Sequence, residues 1–320
     1  MSETSIQFHP LIDDHENVGV QQVMCFFPPA QRVYTAGRLI MHPEDEAKKA
    51  QKLVVVGHGL PGVEWRKRTE AHLRRVIGAN RGMMALVLIA PGLSATQENW
   101  NLTPADLEHC QRKGSEFFKQ RLSLASYIRS YAAVLGQVRA LVGEQTHVQA
   151  IGHSYGAIAL IHALDDCIKK GIPLPDAVAF LAPFVKCSLD EEDHYYSADA
   201  LDISNSAVTG EASLPKKTQV EILRRVLKEC LESYQCTETD LLLQHRNSLG
   251  RGFYGRLRDL KPVTASGRKV RITLGGKDHY ISSEHADWIQ KRMGTAVQIE
   301  TLADDDHQLG HLNWGALLAA

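Results

Sequence analysis

Leu53-Val54-Val55-Val56 is an unbroken apolar run, mostly β-branched, that closes on Gly57. A strand with one face in water alternates apolar and polar residues. A run without alternation reads as a strand buried on both faces, in a parallel sheet covered by its crossover helices. Met84 to Ile89 repeats the pattern ahead of Pro91-Gly92. His147 to Ile151, Ala177 to Leu181, Lys269 to Leu274 and Ala296 to Leu302 supply further strands. Trp65 to Ile77 and Ser123 to Val142 carry helical spacing. Strands alternating with helices make βαβ units and hence a parallel sheet. Upstream, Gln22 to Phe27 and Arg32 to Met41 read as two more strands divided by Pro28-Pro29, behind a polar segment over residues 1–21.

The alternation stops after Pro183. Residues 184–261 are polar and helix-like, with Val220, Leu223, Val226, Leu227 and Leu231 forming one amphipathic stripe. The expected organisation is a core over residues 22–183 and 262–320, with 184–261 inserted as a helical cap or lid. A purely decorative subdomain is the competing reading. The cap is favoured because ligands of open α/β sheets bind beyond the carboxyl ends of the strands.

Bulk properties exclude several classes. With 320 residues, 44% of them hydrophobic, the chain can bury a large core. A net charge of −1 gives no field that would favour nucleic acid. No stretch has the length and apolarity of a membrane span, and Met1 to Val18 lacks the apolar centre of a secretory signal. Six cysteines are scattered without CxxC pairs, as expected of reduced thiols, so the expected location is cytoplasmic.

Chemistry enters at Gly152-His153-Ser154-Tyr155-Gly156, a G-x-S-x-G run where the strand at His147 gives way to a helical pattern through Ile158, Leu160, Ile161 and Leu164. A serine on a sharp strand-to-helix turn exposes its hydroxyl, and the helix behind it aims N–H groups at developing negative charge. The bland alternative is a Gly-rich turn with a serine N-cap. An acyl-transferring serine needs an imidazole base and a carboxylate that fixes the imidazole. Asp278 follows the glycine turn Gly275-Gly276 after one strand, and it could equally cap the helix that begins near Ser283. His307 follows the last strand, with His311 as its rival. The run Gly57-His58-Gly59-Leu60-Pro61-Gly62 follows the first buried strand. It would leave the Leu60 N–H to face an oxyanion together with the Tyr155 N–H, while His58 holds the loop.

On the four segments His58 to Gly62, Gly152 to Gly156, Gly276-Lys277-Asp278 and Asp306-His307, the chain resembles the α/β-hydrolase fold family, in its serine-nucleophile branch. The resemblance runs from about Gln22 to Trp314. It implies a mostly parallel central sheet of about eight strands with helices on both faces, and a cap inserted after the sixth. It also implies cleavage of an ester, thioester, amide or C–C bond through an acyl-enzyme. One departure is Ala157, where many relatives carry a second glycine; alanine is small enough to fit.

The leading expectation is therefore a serine hydrolase of the esterase or thioesterase type acting on a small-molecule acyl substrate. Its catalytic residues are Ser154, Asp278 and His307, Leu60 and Tyr155 hold the oxyanion, and no cofactor is required. Two alternatives use the same fold: an acyltransferase in which an alcohol or amine intercepts the acyl-enzyme, and a ligand-binding protein without turnover. Asp304, Asp305, Asp306, His307 and His311 form an acidic and imidazole cluster, but without a helix before them the pair of histidines is a weak metal signature, and no metal site is expected. Trp100, Tyr195, Tyr196, Phe253 and Tyr254 are candidates to line the pocket or to pack the cap. Arg246, Arg251 and Arg256 suit a phosphate or carboxylate, as on a carrier-bound thioester, or a solvated basic face.

Overall fold

The computed structural model describes residues 5–10, 20–30, 33–59, 63–89, 124–185, 260–265, 267–278, 281 and 283–319. Three strands open the chain: β1 (Gln7–Pro10), β2 (Gln21–Ala30) and β3 (Val33–Met41). Six follow: β4 (Lys52–Gly57), β5 (Met83–Ile89), β6 (His147–His153), β7 (Ala177–Leu181), β8 (Lys269–Gly275) and β9 (Val297–Leu302). The α-helices among the described residues are α1 (Val63–Ala79), α2 (Leu124–Leu141), α3 (Tyr155–Lys170), α4 (Lys261–Thr264), α5 (Ser283–Met293) and α6 (Trp314–Ala319).

The described strands form one open sheet in the order β1-β2-β3-β5-β4-β6-β7-β8-β9. From β5 to β9 all neighbours are parallel, whereas β1, β2 and β3 join as an antiparallel flank. Leu53, Val54, Val55 and Val56 are all 0% exposed, so successive side chains are covered on both faces of the sheet. α2 packs with α3, and α1 with α6.

The sheet has nine strands among the described residues, against about eight expected. The addition is β1, which lies within the polar segment 1–21 and pairs Gln7 with Phe26 and Pro10 with Val23. Pro28 and Pro29 do not end a strand. Both lie inside β2 where its register with β3 shifts between Phe27 and Ala30, a bulge that tolerates residues without an N–H. The expected cap over 184–261 lies, beyond Val185 and up to residue 259, outside the described residues.

Because β4 and β6 to β9 run parallel, their carboxyl ends share one edge. Gly57 is level with Gly152, His153 with Leu181, Leu181 with Thr273, and Gly275 with Leu302. The described residues that follow these strands therefore leave the sheet at one edge. No helix among the described residues is long and apolar enough to cross a membrane.

Candidate active site

Ser154 stands between β6 and α3 with φ 50° and ψ −120°, a left-handed conformation that a residue with a side chain adopts only under constraint. Its neighbours supply that constraint. Ser154 N–H donates to Leu181 O (2.9 Å), and Ser154 O accepts from the N–H groups of Ala157 (2.9 Å) and Phe184 (3.2 Å). The glycines of the motif exist for close approach: a Cβ on Gly156 would lie 2.5 Å from Gly57 O, and one on Gly152 would lie 2.7 Å from Gly156 O. Ala157 is fully buried and accommodated, as expected from its size.

The remaining groups arrive from β8 and β9. A Cβ on Gly275 would come 2.3 Å from Asp306 O, so only glycine lets these two loops touch. They are also stitched by Gly276 N–H to Leu302 O (2.8 Å) and Lys277 N–H to Asp305 O (2.8 Å). The result brings Asp278, His307 and Ser154 into one line. His307 Nδ1 is 2.8 Å from Asp278 Oδ2, and His307 Nε2 is 2.8 Å from Ser154 Oγ. A carboxylate accepts, so Nδ1–H donates to it; Nε2 then presents its lone pair and Ser154 O–H donates. The Asp278 side chain is 0% exposed. Its Oδ1 also accepts the Ile281 N–H (3.1 Å), so Asp278 makes a turn bond as well as orienting the ring.

His311 is elsewhere. Its side chain is 80% exposed and its ring is hydrogen-bonded to Asp305. Asp304 pairs with Lys277 (3.0 Å), and Asp306 accepts the Gln308 N–H (2.8 Å). The acidic run is thus spent on loop contacts, and among the described residues no group of three or more His, Cys, Asp or Glu is arranged to hold a metal.

Tyr155 heads α3, which places its N–H in the first helical turn beside the serine. Leu60, Trp100, Tyr195, Tyr196, Phe253 and Tyr254 lie outside the described residues. His58 is buried, and its Nδ1–H donates to Gly59 O (2.8 Å), which holds the loop after β4. Two residues not singled out in the sequence support the same region. Tyr127 O–H donates to His58 O (2.8 Å), and Tyr131 O–H lies 2.8 Å from Ile151 O and 3.2 Å from Val55 O. Their i, i+4 spacing on one buried face of α2 was the available signal. Ser154, Ala182 (φ 40°) and Leu309 (φ 50°) are the non-glycine residues with left-handed φ among those described, and all three lie in the loops at this edge.

Burial, with Arg66 adding to it, pushes the His58 imidazole down to about 4. An unfolded imidazole binds its proton near 6.5, so between those values the unfolded chain holds the extra proton and stability is lost as pH falls. At pH 5 His58 alone should cost on the order of 2 kcal/mol relative to pH 7. Urea midpoints measured at pH 7, 6 and 5 should therefore decline, and His58→Gln should flatten the decline. A slope unchanged by that substitution would contradict this assignment.

The model of the alpha/beta hydrolase family matches residues 53–320 of the chain. No curated protein gives a significant match. Among solved structures, acetyl xylan esterase 1 from Thermoanaerobacterium sp. is 12% identical, with 99% of this chain and 86% of that one covered at a TM-score of 0.51. Carboxyl esterase 2 of the fungus Tuber melanosporum is 13% identical, with 95% and 86% covered and a TM-score of 0.49. The thioesterase domain from the curacin biosynthetic pathway is 15% identical, with 93% and 98% covered and a TM-score of 0.47. Likeness at such identities is a likeness of fold.

Proposed function

The chain belongs to the alpha/beta-hydrolase family, and from that premise we propose that it is a serine hydrolase cleaving an ester or thioester through an acyl-enzyme on Ser154. The observation that carries this reading is the pair of 2.8 Å contacts through His307, one to Ser154 Oγ and one to Asp278 Oδ2. Ser154 Oγ attacks the acyl carbonyl while His307 Nε2 takes its proton. The tetrahedral oxyanion is held by the N–H groups of Tyr155 and Leu60. Collapse expels the alcohol or thiol, which receives the proton from His307. Water, deprotonated by the same imidazole, then releases the acid. Asp278 holds the Nδ1–H tautomer and stabilises the imidazolium that forms in each half-reaction.

A lid over residues 184–261 belongs to the same proposal. The chain leaves β7 through Phe184 and Val185, which are fastened beside the nucleophile: Phe184 N–H to Ser154 O (3.2 Å) and Val185 N–H to His285 Nδ1 (3.2 Å). An insertion starting from that point begins at the rim of the site, where it could admit an acyl chain and exclude water.

Intact mass after exposure to a fluorophosphonate tests the reading. A single adduct is expected on the wild type and on His311→Ala, and none on Ser154→Ala or His307→Ala. An adduct retained by Ser154→Ala would sink it. Among esters and thioesters that the wild type turns over, Asp278→Asn should lower kcat by about ten-thousandfold, because the amide favours the wrong imidazole tautomer. A loss under about tenfold would remove Asp278 from this role.

A further inference from the structure

We infer that His153, the residue before the serine, is a positioning residue that holds the His307 loop at its working height through one hydrogen bond; this rests on the acyl-enzyme reading above. His153 Nε2 lies 2.9 Å from the backbone oxygen of His307. A carbonyl only accepts, so Nε2 carries the hydrogen and the ring's tautomer is set. The ring is 2% exposed and its centroid is 5.2 Å from that of His307. Burial first, and the neighbouring His307 second, push its proton affinity well below that of a free imidazole, which keeps it neutral while it donates. On the opposite side, a Cβ added to Gly59 would lie 3.4 Å from His153 Nδ1 and 2.6 Å from Ser154 Cβ. The imidazole thus sits between the loop after β4 and the loop after β9, directly behind the nucleophile.

The other fastenings of the β9 loop explain why this bond matters. Upstream of His307, the main chain is tied to the β8 turn through Leu302 O and Asp305 O. Downstream, Leu309 has a left-handed φ of 50°, and its N–H donates to Asp306 O (3.2 Å). The contacts to Asp278 and Ser154 fix only the His307 ring. The peptide that follows His307 is held on its N–H side within the loop, by Asp306 Oδ1 (2.8 Å from Gln308 N). On its carbonyl side it is held by His153, which ties it to the strand end before Ser154 and so sets the distance between base and nucleophile. Misplacement of about 1 Å in such a pair costs up to about a hundredfold in rate.

The test compares full-length wild type with His153→Phe, which keeps a ring of similar size without the donor, and His153→Gln, whose amide N–H reaches as far as Nε2. The rate of fluorophosphonate labelling at Ser154 should fall about ten- to a hundredfold in His153→Phe and recover most of the way in His153→Gln. For any ester turned over, the loss should appear in kcat with KM unchanged. Labelling of folded His153→Phe at the wild-type rate would overturn the role of His153 alone. A wild type that takes no label overturns both that role and the acyl-enzyme. Should His153→Phe fail to fold, ¹⁵N imidazole spectra of the wild type decide. A neutral Nε2–H ring at pH 7 is the expected result, and an Nδ1–H tautomer or a cation overturns the hydrogen bond.

Discussion

Ser154→Ala is expected to lower kcat by about a millionfold, and His307→Ala by a similar factor, with the double variant no worse than either. The non-additivity follows from the geometry. Nε2 of His307 lies 2.8 Å from Ser154 Oγ, and in the proposed mechanism that nitrogen is the group that activates the hydroxyl. A single-turnover assay on a chromogenic ester, with folding checked by circular dichroism, measures the effect. Losses that multiply would show two groups acting independently and would break the assignment. Ser154→Gly separates the chemistry from the fold. It should be equally inactive, yet more stable than the wild type by about 1 kcal/mol, because glycine adopts φ 50° without strain.

Gly156→Ala should damage the fold severely, at a cost on the order of 3 kcal/mol or more. The added methyl would meet Gly57 O at 2.5 Å, Gly57 C at 2.7 Å and His58 O at 2.8 Å. These are backbone atoms at the end of β4, whose register with β6 is held across the ladder from Lys52 to Gly57. Neither side can yield without sliding a central strand. Gly171→Ala is the comparison: its φ is 66° but nothing lies within 4 Å of an added Cβ, so its cost should be about 1 kcal/mol. Urea midpoints rank the two. A Gly156→Ala protein as stable as Gly171→Ala would mean that the contact between α3 and the β4 end is looser than described.

The sequence was most legible where burial is two-sided. Val54 and Ala179 each lie in a run whose composition leaves no alternative to a central strand, and β7 begins and ends where its composition predicts. Legibility failed where local signals compete. Gln7–Pro10 is four residues of mixed polarity, and only its pairing with β2 makes it a strand. Pro28-Pro29 marks a break in most contexts, but here a register shift absorbs it. Within the site, the G-x-S-x-G run points to Ser154 only in the company of Asp278, His307 and the Gly57 to Gly62 turn, each placed after a strand. His307 and His311 differ in sequence only by position, and they are separated by Asp305, which takes up His311. His153 could not be found from its neighbours, because its partner is a backbone oxygen 154 residues away.

The distances along the chain have a further consequence, for how activity arises. Ser154 reaches its strained turn using contacts that lie at or before Phe184. Asp278 and His307 arrive in the loops after β8 and β9, more than a hundred residues beyond Ser154. α6 then ties down last, through Gln149 Nε2–H to Leu317 O (3.1 Å) and Lys52 Nζ–H to Leu318 O (2.5 Å). In a chain emerging from its N-terminus, the residues that fix the Ser154 backbone precede those that bring His307 to its hydroxyl.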